Sequence, residues 1–465
     1  MRWAIGLAAS LILLASCTVG PNYKRPVANV PAVYRGEAAS EPGNQAANSL
    51  GDEKWWTVFQ DPELQNLIRM ALKQNYDLRI AATRILQAQA QVVIARAGQF
   101  PNASVGPSVS GVRSPGIPGV FKSYSYLADE LTLSGSWNID FWGRYRRATE
   151  AARASLRASE WGRRAVIGTL VENLAAAYFQ LREIDLELSI AKRTLGSRQQ
   201  SLKLATTLEQ GGATSMVDVR QSQQLVEEAA ETIPDTERLA QQTENQISIL
   251  LGENPTAIPR GRPITEQPLP QTIPAGLPSR LLERRPDIRQ AEQQLIAANA
   301  EIGVARAQLF PQISLTGSGG VESIGLGNLL TWAARYWNWS GTATQPIFNA
   351  GSLRANVRLA KAQQQQLLLT YQQTIQTAFR EVSDSLIAYQ KYREFRQHQQ
   401  ALTAAAQDAA HLSEIRYQGG VASYLEVLTN ETTYFTAELN LARAELNERL
   451  SLVQVYNALG GGWEQ

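Results

Sequence analysis

Two periodicities alternate along this chain. Residues 62–98 read as helix: Asp61 suits the N-cap, Pro62 the first helical position, and Phe100-Pro101 ends the run. From residue 102 the period changes to two. Ala103, Val105 and Val109 alternate with Asn102, Ser104, Ser108 and Ser110, predicting a strand over 102–112. A Gly/Pro-rich stretch follows, in which Gly111 to Gly119 reads as an external loop. Leu127, Leu131, Leu133, Trp137, Ile139 and Phe141 then oppose Glu130, Thr132, Ser134, Ser136, Asn138 and Asp140, predicting a strand over 124–141. Apolar-out and polar-in alternation of this kind fits a membrane β-barrel, or a soluble sheet with one wet face. The strands are flanked by helices with no sheet-covering pattern, which favours the barrel. Tyr124, Tyr126, Trp142 and Tyr336 near the strand ends suit an interfacial girdle. After Gly143 a long helix is predicted over 144–209 and a returning one over 215–250. Pro234 should kink the latter.

The whole order occurs twice. Asn75 to Pro101 aligns without a gap on Arg285 to Pro311, sharing Asp77/Asp287, Arg79/Arg289, Ala95-Arg96-Ala97/Ala305-Arg306-Ala307 and Phe100-Pro101/Phe310-Pro311. The offset then falls from 210 to 208. Gly143 faces Gly351, Gly211-Gly212 faces Gly419-Gly420, and Leu251-Gly252 faces Leu459-Gly460. Punctuation kept in order over so long a stretch marks an internal duplication rather than chance likeness of Ala/Gln-rich helices. The second copy predicts a helix over 287–308, strands over 312–320 and 336–347, and helices over 352–417 and 422–458. Its strands alternate likewise: Ile313, Leu315, Trp337, Trp339 and Ile347 oppose Ser314, Thr316, Asn338, Ser340 and Thr342. Spacing near 3.5 along 144–209 and 352–417 suggests coiled-coil seams. At 1.5 Å per residue the helix over 144–209 spans roughly 100 Å, and those over 62–98 and 215–250 about 55 Å each. Two short helices end to end therefore match one long one.

The first residues change the picture of where this sheet sits. Arg2, an apolar run from Ile5 to Ala15 and Leu14-Ala15-Ser16-Cys17 read as a secretion signal over 1–16. The run is too short to span a bilayer. Cys17 is the one cysteine of the sequence. Its setting resembles a lipobox, in which cysteine becomes the acylated N-terminus, and an ordinary cleaved signal with an incidental Cys is the alternative. Residue 18 is Thr rather than an Asp that favours inner-membrane retention. An intramolecular disulfide is excluded. The 44 Lys+Arg and 42 Asp+Glu are balanced without a basic stripe, which disfavours nucleic acid as a partner. Three Met and two His argue against a metal relay. His398 and His411 lack a second ligand at metal spacing. No nucleophile–base pair or phosphate loop stands out, so an enzyme is disfavoured. The domains expected are a signal at 1–16, a lipidated extended segment at 17–54, one repeat at 55–254, a Pro-rich crossover at 255–284, a second repeat at 285–460 and a tail at 461–465.

Four strands cannot close a membrane barrel, and open edges in lipid leave backbone groups unpaired. Two chains would supply eight strands and a filled interior; three would supply twelve and a passage, which small polar inward residues favour.

At this point Cys17-Thr18-Val19-Gly20-Pro21-Asn22-Tyr23-Lys24-Arg25-Pro26 becomes informative, with Trp55-Trp56, Phe59, Asp61-Pro62, Asp140-Phe141-Trp142-Gly143-Arg144, Arg284-Arg285-Pro286-Asp287-Ile288 and Phe310-Pro311. Together these resemble the outer-membrane efflux lipoproteins of the TolC-like family over essentially the whole mature chain. The resemblance implies a mainly α protein with a membrane β-barrel part: a homotrimer whose four strands per chain complete a 12-stranded barrel above a coiled-coil α-helical barrel. It implies a place in the outer membrane, lipid on Cys17 and no other cofactor. It also implies docking to a periplasmic membrane-fusion adaptor and an inner-membrane pump of the resistance–nodulation–division class, for export of drugs or other small toxic compounds. A type I secretion or metal-efflux duct, an independent porin and a soluble coiled-coil protein are the alternatives. The turns Gly211-Gly212 and Gly419-Gly420 would form the periplasmic tip that meets the adaptor. Asp218, Glu426, Tyr417 and Leu425 fall on family positions that hold the entrance closed. Thr429 and Ala422 depart from residues often found there, which implies either a weaker tie between helices or the use of Arg220 or Arg416 instead. Helix N-terminal charge is the plainer reading of Asp218 and Glu426.

Overall fold

A computed structural model describes residues 18–36, 49–116, 118–120, 122–270 and 272–464. The signal segment and Cys17 lie outside the described residues. In chain order the principal elements are α1 (Trp55–Val58), α2 (Pro62–Gln74), α3 (Tyr76–Ala97), β1 (Asn102–Ser114), β2 (Tyr124–Ile139), α4 (Arg144–Gln210) and α5 (Met216–Leu251). The second copy gives α6 (Pro278–Arg284), α7 (Pro286–Ala307), β3 (Gln312–Ser323), β4 (Arg335–Thr344), α8 (Ser352–Gln418) and α9 (Tyr424–Ala458). The protein is mainly helical, with one four-stranded antiparallel sheet of order β1-β2-β3-β4. No described helix is long and apolar enough to cross a membrane.

The chain divides into two compact units. One holds Arg84–Glu160, Gln290–Gln372 and the N-terminal segment up to Val27; the other holds Ala28–Thr83, Trp161–Arg289 and Gln373–Gln465. The sheet belongs to the first. Its N-terminal segment is fastened by Val19 N–H donating to Trp142 O at 3.1 Å, Arg147 donating to Asn22 Oδ1 at 2.7 Å, and Arg25 pairing with Glu292 at 3.0 Å. A Cβ on Gly143 would lie 2.8 Å from Thr18, so glycine lets the segment pass there.

The core of the second unit is aliphatic. Leu64, Leu67, Ile68 and Ala71 of α2, Leu174 and Leu181 of α4, and Ile247 and Leu251 of α5 are buried. Burying each large side chain contributes roughly 1.5–3 kcal/mol. Asp61 is fully buried among them and does more than cap. It accepts from Glu63 N at 2.9 Å, Tyr178 Oη at 2.9 Å, Arg262 N at 3.0 Å and Gln267 Nε2 at 2.6 Å. One carboxylate thus ties the start of α2 to α4 and to the crossover, and four donors offset its desolvation.

The structure differs from the sequence pattern in three places. The helix read over 62–98 is two helices, broken at Asn75, whose backbone is extended at φ −55°, ψ 132°. Asn75 Oδ1 accepts from Leu78 N at 3.0 Å to cap α3, while Nδ2 donates to Leu250 O at 2.9 Å, at the end of α5. The crossover contains α6, whose last residues align with the end of α2. The last strand stops at Thr344, before Gln345-Pro346, because proline has no N–H for a ladder. The helix α5 continues through Pro234, which stands inside it.

Candidate functional site

Each strand alternates, and the register stacks the alternation into two faces. Ser108 pairs with Glu130 and Glu130 with Glu322; Ser104, Ser134, Ser318 and Asn338 form a row, as do Asn102, Ser136, Thr316 and Ser340. The opposite face carries Val105, Val109, Leu131, Leu133, Trp137, Ile139, Leu315, Trp337 and Trp339. A one-residue slip of any strand would exchange its faces, so this agreement is strongly specified. Trp337 sits across from Gly319 and Trp339 from Gly317, so each indole can lie over backbone without a competing side chain. These two tryptophans are 77% and 74% exposed, and no described helix covers the apolar face. From Leu131 to Ile139 the apolar strip runs about 26 Å along the strand, the length of the shortest tilted strands of roughly 9–11 residues that span a membrane. Asp129, Arg113 and Arg335 border it at the far end. Among the described residues the outer edges of β1 and β4 have no partner strand.

The tyrosine girdle expected from sequence is corrected by the register. Tyr124, Tyr126 and Tyr336 lie on the polar face. Tyr336 Oη hydrogen-bonds Glu130, which also accepts from Thr132 and from Ser108 Oγ at 2.9 Å. Trp142 lies beyond the strand, stacked on Phe310 with ring centres 4.7 Å apart and donating to Pro311 O at 2.8 Å. Counting from the strand end hid this, because near a turn an aromatic residue can belong to either face. The polar face therefore carries two acids, Glu130 and Glu322, on adjacent strands, and no base.

The second unit holds the glycine turns. Gly212 and Gly420 adopt φ of 68° and 70°, the left-handed C′ position of a helix end. Ala213 N–H returns to Leu208 O at 2.8 Å and Val421 N–H to Arg416 O at 3.0 Å, while Gly211 and Gly419 bond Thr207 O and Ile415 O. The backbones match; the side chains diverge. Ser215 caps α5 by accepting from Asp218 N at 3.4 Å, and the Asp218 carboxylate accepts in return from Ser215 N at 3.4 Å and from Thr214 Oγ1. Ser423 and Glu426 have the same spacing, yet Ser423 makes no side-chain cap. Glu426 reaches Arg416 at 3.3 Å instead, across the turn to the end of α8.

The remaining candidates are placed as follows. Tyr417 and Tyr424 meet edge to face at 5.3 Å. Tyr424 is buried, and burial pushes its hydroxyl pKa up. Arg220 donates to Gln223 at 2.8 Å on its own helix and does not reach Asp218. Leu425 is exposed, as is Val217 at the matching position of the first copy. Missed from sequence were Asp61 as a four-donor hub, and Asn75 with Arg285 as the joints of the two copies.

A sheet with one wet and one apolar face and two open edges, carried on helices far longer than an ordinary domain needs, defines a membrane channel subunit. The family model for outer membrane efflux proteins matches twice, over residues 67–253 and 277–461. This chain belongs to that family. It is 37% identical over 467 residues to the probable efflux pump outer membrane protein TtgC of Pseudomonas putida, covering 99% of this chain and 95% of TtgC. It is 34% identical over 458 residues to the cation efflux system protein CusC of Escherichia coli, covering 98% and 97%. Among solved structures it resembles the CmeC outer membrane channel of Campylobacter jejuni, with a TM-score of 0.90, 27% identity and coverage of 97% and 96%. The family is one of outer-membrane efflux channels, and this chain is an efflux component of that kind.

Proposed function

We propose that this chain is one third of the exit duct of a tripartite efflux system, a homotrimer whose twelve strands close a barrel in the outer membrane. The observation that carries the proposal is the sheet. Its faces are sorted in register while both edges are open, and in lipid each unpaired backbone group costs several kcal/mol. Pairing β4 of one copy with β1 of the next removes every edge and turns Glu130 and Glu322 toward a shared wet lumen.

Cys17 carries the lipid anchor in this reading. Thr18, the next residue, packs at the Gly143 end of β2, beside the rim of the apolar strip, where acyl chains would enter the same leaflet. The Gly211-Gly212 and Gly419-Gly420 turns receive a periplasmic adaptor, and Asp218 and Glu426 guard the entrance there. The energy source is an inner-membrane pump of the resistance–nodulation–division class. The cargo is drugs or other small toxic compounds. The duct itself exerts little choice, since relatives of similar identity bear names from different efflux systems.

The mass of the detergent-purified protein, measured with fatty-acid labelling, tests this. Three chains per particle and label lost in Cys17→Ala are expected. An unlabelled monomer would overturn it.

A further inference from the structure

We propose that the helical unit contains a binding site for a small basic amino acid, in a cleft between α4, α8 and α9. The cleft has a volume of about 240 Å³. That is below the roughly 300 Å³ at which pockets begin to hold drug-sized ligands, and far above the ~30 Å³ share of one water.

Its walls carry buried polar atoms with nothing to bond. Arg198 is 1% exposed. Its Nη1 donates to Leu225 O at 2.8 Å and to Glu228 at 3.1 Å, and its plane lies 4.9 Å from the Phe435 ring. Its Nε and Nη2 have no partner. Facing it, Oε2 of Glu431 and Oε2 of Glu438 are also buried without partners. Buried polar groups are almost always paired, so orphans of both signs around one cleft describe the ligand that would pair them.

Charge then sets its sign. Arg193 is matched by Glu438, and Arg198 by Glu228. Glu414 and Glu431 have no ion pair among the described residues. Burial pushes the Glu431 pKa up, with Arg198 opposing and Glu414 adding to the rise. Arg198 stands near Glu431 without pairing to it, so among the described residues Glu431 has no bonded cation, while Nε and Nη2 of Arg198 have no acceptor. A molecule with ammonium groups and one carboxylate supplies both.

The duplication argues that the set is not inherited. At the matching positions of the other copy stand Ala406 for Arg198, Gln223 for Glu431 and Ala230 for Glu438. Only one copy carries the charges, although both share the helices. Occupied, the cleft would fasten α4 of the first copy to α8 and α9 of the second.

Isothermal titration of the detergent-solubilised full-length protein at pH 7 tests the site with lysine, cadaverine and 6-aminohexanoate. Lysine is expected to bind. Cadaverine lacks the carboxylate, 6-aminohexanoate lacks the second ammonium, and each should bind at least tenfold more weakly. Glu431→Gln should weaken lysine about tenfold, and Arg198→Met should erase the preference for lysine over cadaverine. If Arg198→Met does not fold, the three ligands on the wild-type protein and Glu431→Gln still decide. No heat with lysine at millimolar concentration, equal binding of all three ligands, or lysine binding unchanged in Glu431→Gln would overturn the proposal.

Discussion

In the first copy the joint between α2 and α3 is closed by an amide, in the second by a guanidinium. Asn75 Nδ2 donates to Leu250 O; Arg285 Nη1 donates at 3.2 Å to Ala458 O, the aligned carbonyl at the end of α9. Arg285 also binds both oxygens of Asp287 at 3.0 and 2.7 Å and Glu381 at 2.7 Å. The backbone task is shared, and the second copy adds an ionic tie to α8. The difference teaches that duplication preserved where helices meet and left open what joins them. Arg285→Ala should therefore cost more, about 3 kcal/mol, because it strands charge-assisted partners as well as a carbonyl. Asn75→Ala should cost about 2 kcal/mol, and its loss should not depend on salt. Native-state hydrogen exchange of α3 and α7 measures both. Equal losses would mean that Asp287 and Glu381 add nothing to the joint.

The glycine turns invite the opposite expectation. Gly212 and Gly420 share one conformation, and a Cβ at either would meet open space. The cost of a side chain there is purely one of backbone strain. Gly212→Ala and Gly420→Ala should each destabilise their turn by about 1–2 kcal/mol, and by the same amount. Unequal costs in local exchange protection would show that something beyond the backbone holds one turn.

How much was legible in the sequence depended on whether a feature was periodic or singular. Alternation gave the four strands and their faces, because side-chain period two leaves no freedom once a register is set. The matched Gly-Gly pairs located both turns through their positive φ. Asn75 gave no such signal: a single polar residue inside a helical run interrupts no pattern, and its roles as cap and donor depend on Leu250, distant in sequence. α6 was hidden for a related reason. Seven residues within a Pro-rich stretch are too few to display a period, although alignment with the end of α2 would have exposed it. At the turns, Ser215/Asp218 and Ser423/Glu426 look equivalent as strings. Arg416, standing where the first copy has Leu208, is what draws Glu426 away from its own helix end.

That divergence can be broken with smaller changes. Ser215→Ala removes a made capping box and should cost about 1 kcal/mol in protection of the first turn of α5. Ser423→Ala removes no side-chain bond and should leave α9 within roughly 0.3 kcal/mol of wild type. Arg416→Leu, which gives the second copy the residue of the first, should free Glu426 to complete a box with Ser423. In that background Ser423→Ala should cost about 1 kcal/mol. If Ser423→Ala is silent in both backgrounds, Arg416 is not what holds Glu426 away.

The acids themselves are expected to affect stability little, and there the comparison bears on the duct. The Arg416–Glu426 pair is exposed on both sides, so Glu426→Ala should cost less than about 1 kcal/mol, and less still in high salt. Asp218→Ala, which opens a capping box, should cost somewhat more. Their effects on ions should be closer to equal. Asp218 is held by its own helix end, whereas Glu426 pairs with Arg416. Each removal shifts the local charge by +1 per chain: Asp218→Ala takes −1 to zero, and Glu426→Ala takes a neutral pair to +1. If the two acids face the proposed entrance, each variant should lower cation preference in planar bilayers, and the double variant should lower it most. Unchanged conductance and unchanged cation preference in the double variant would leave both acids as helix caps and take the entrance role from them.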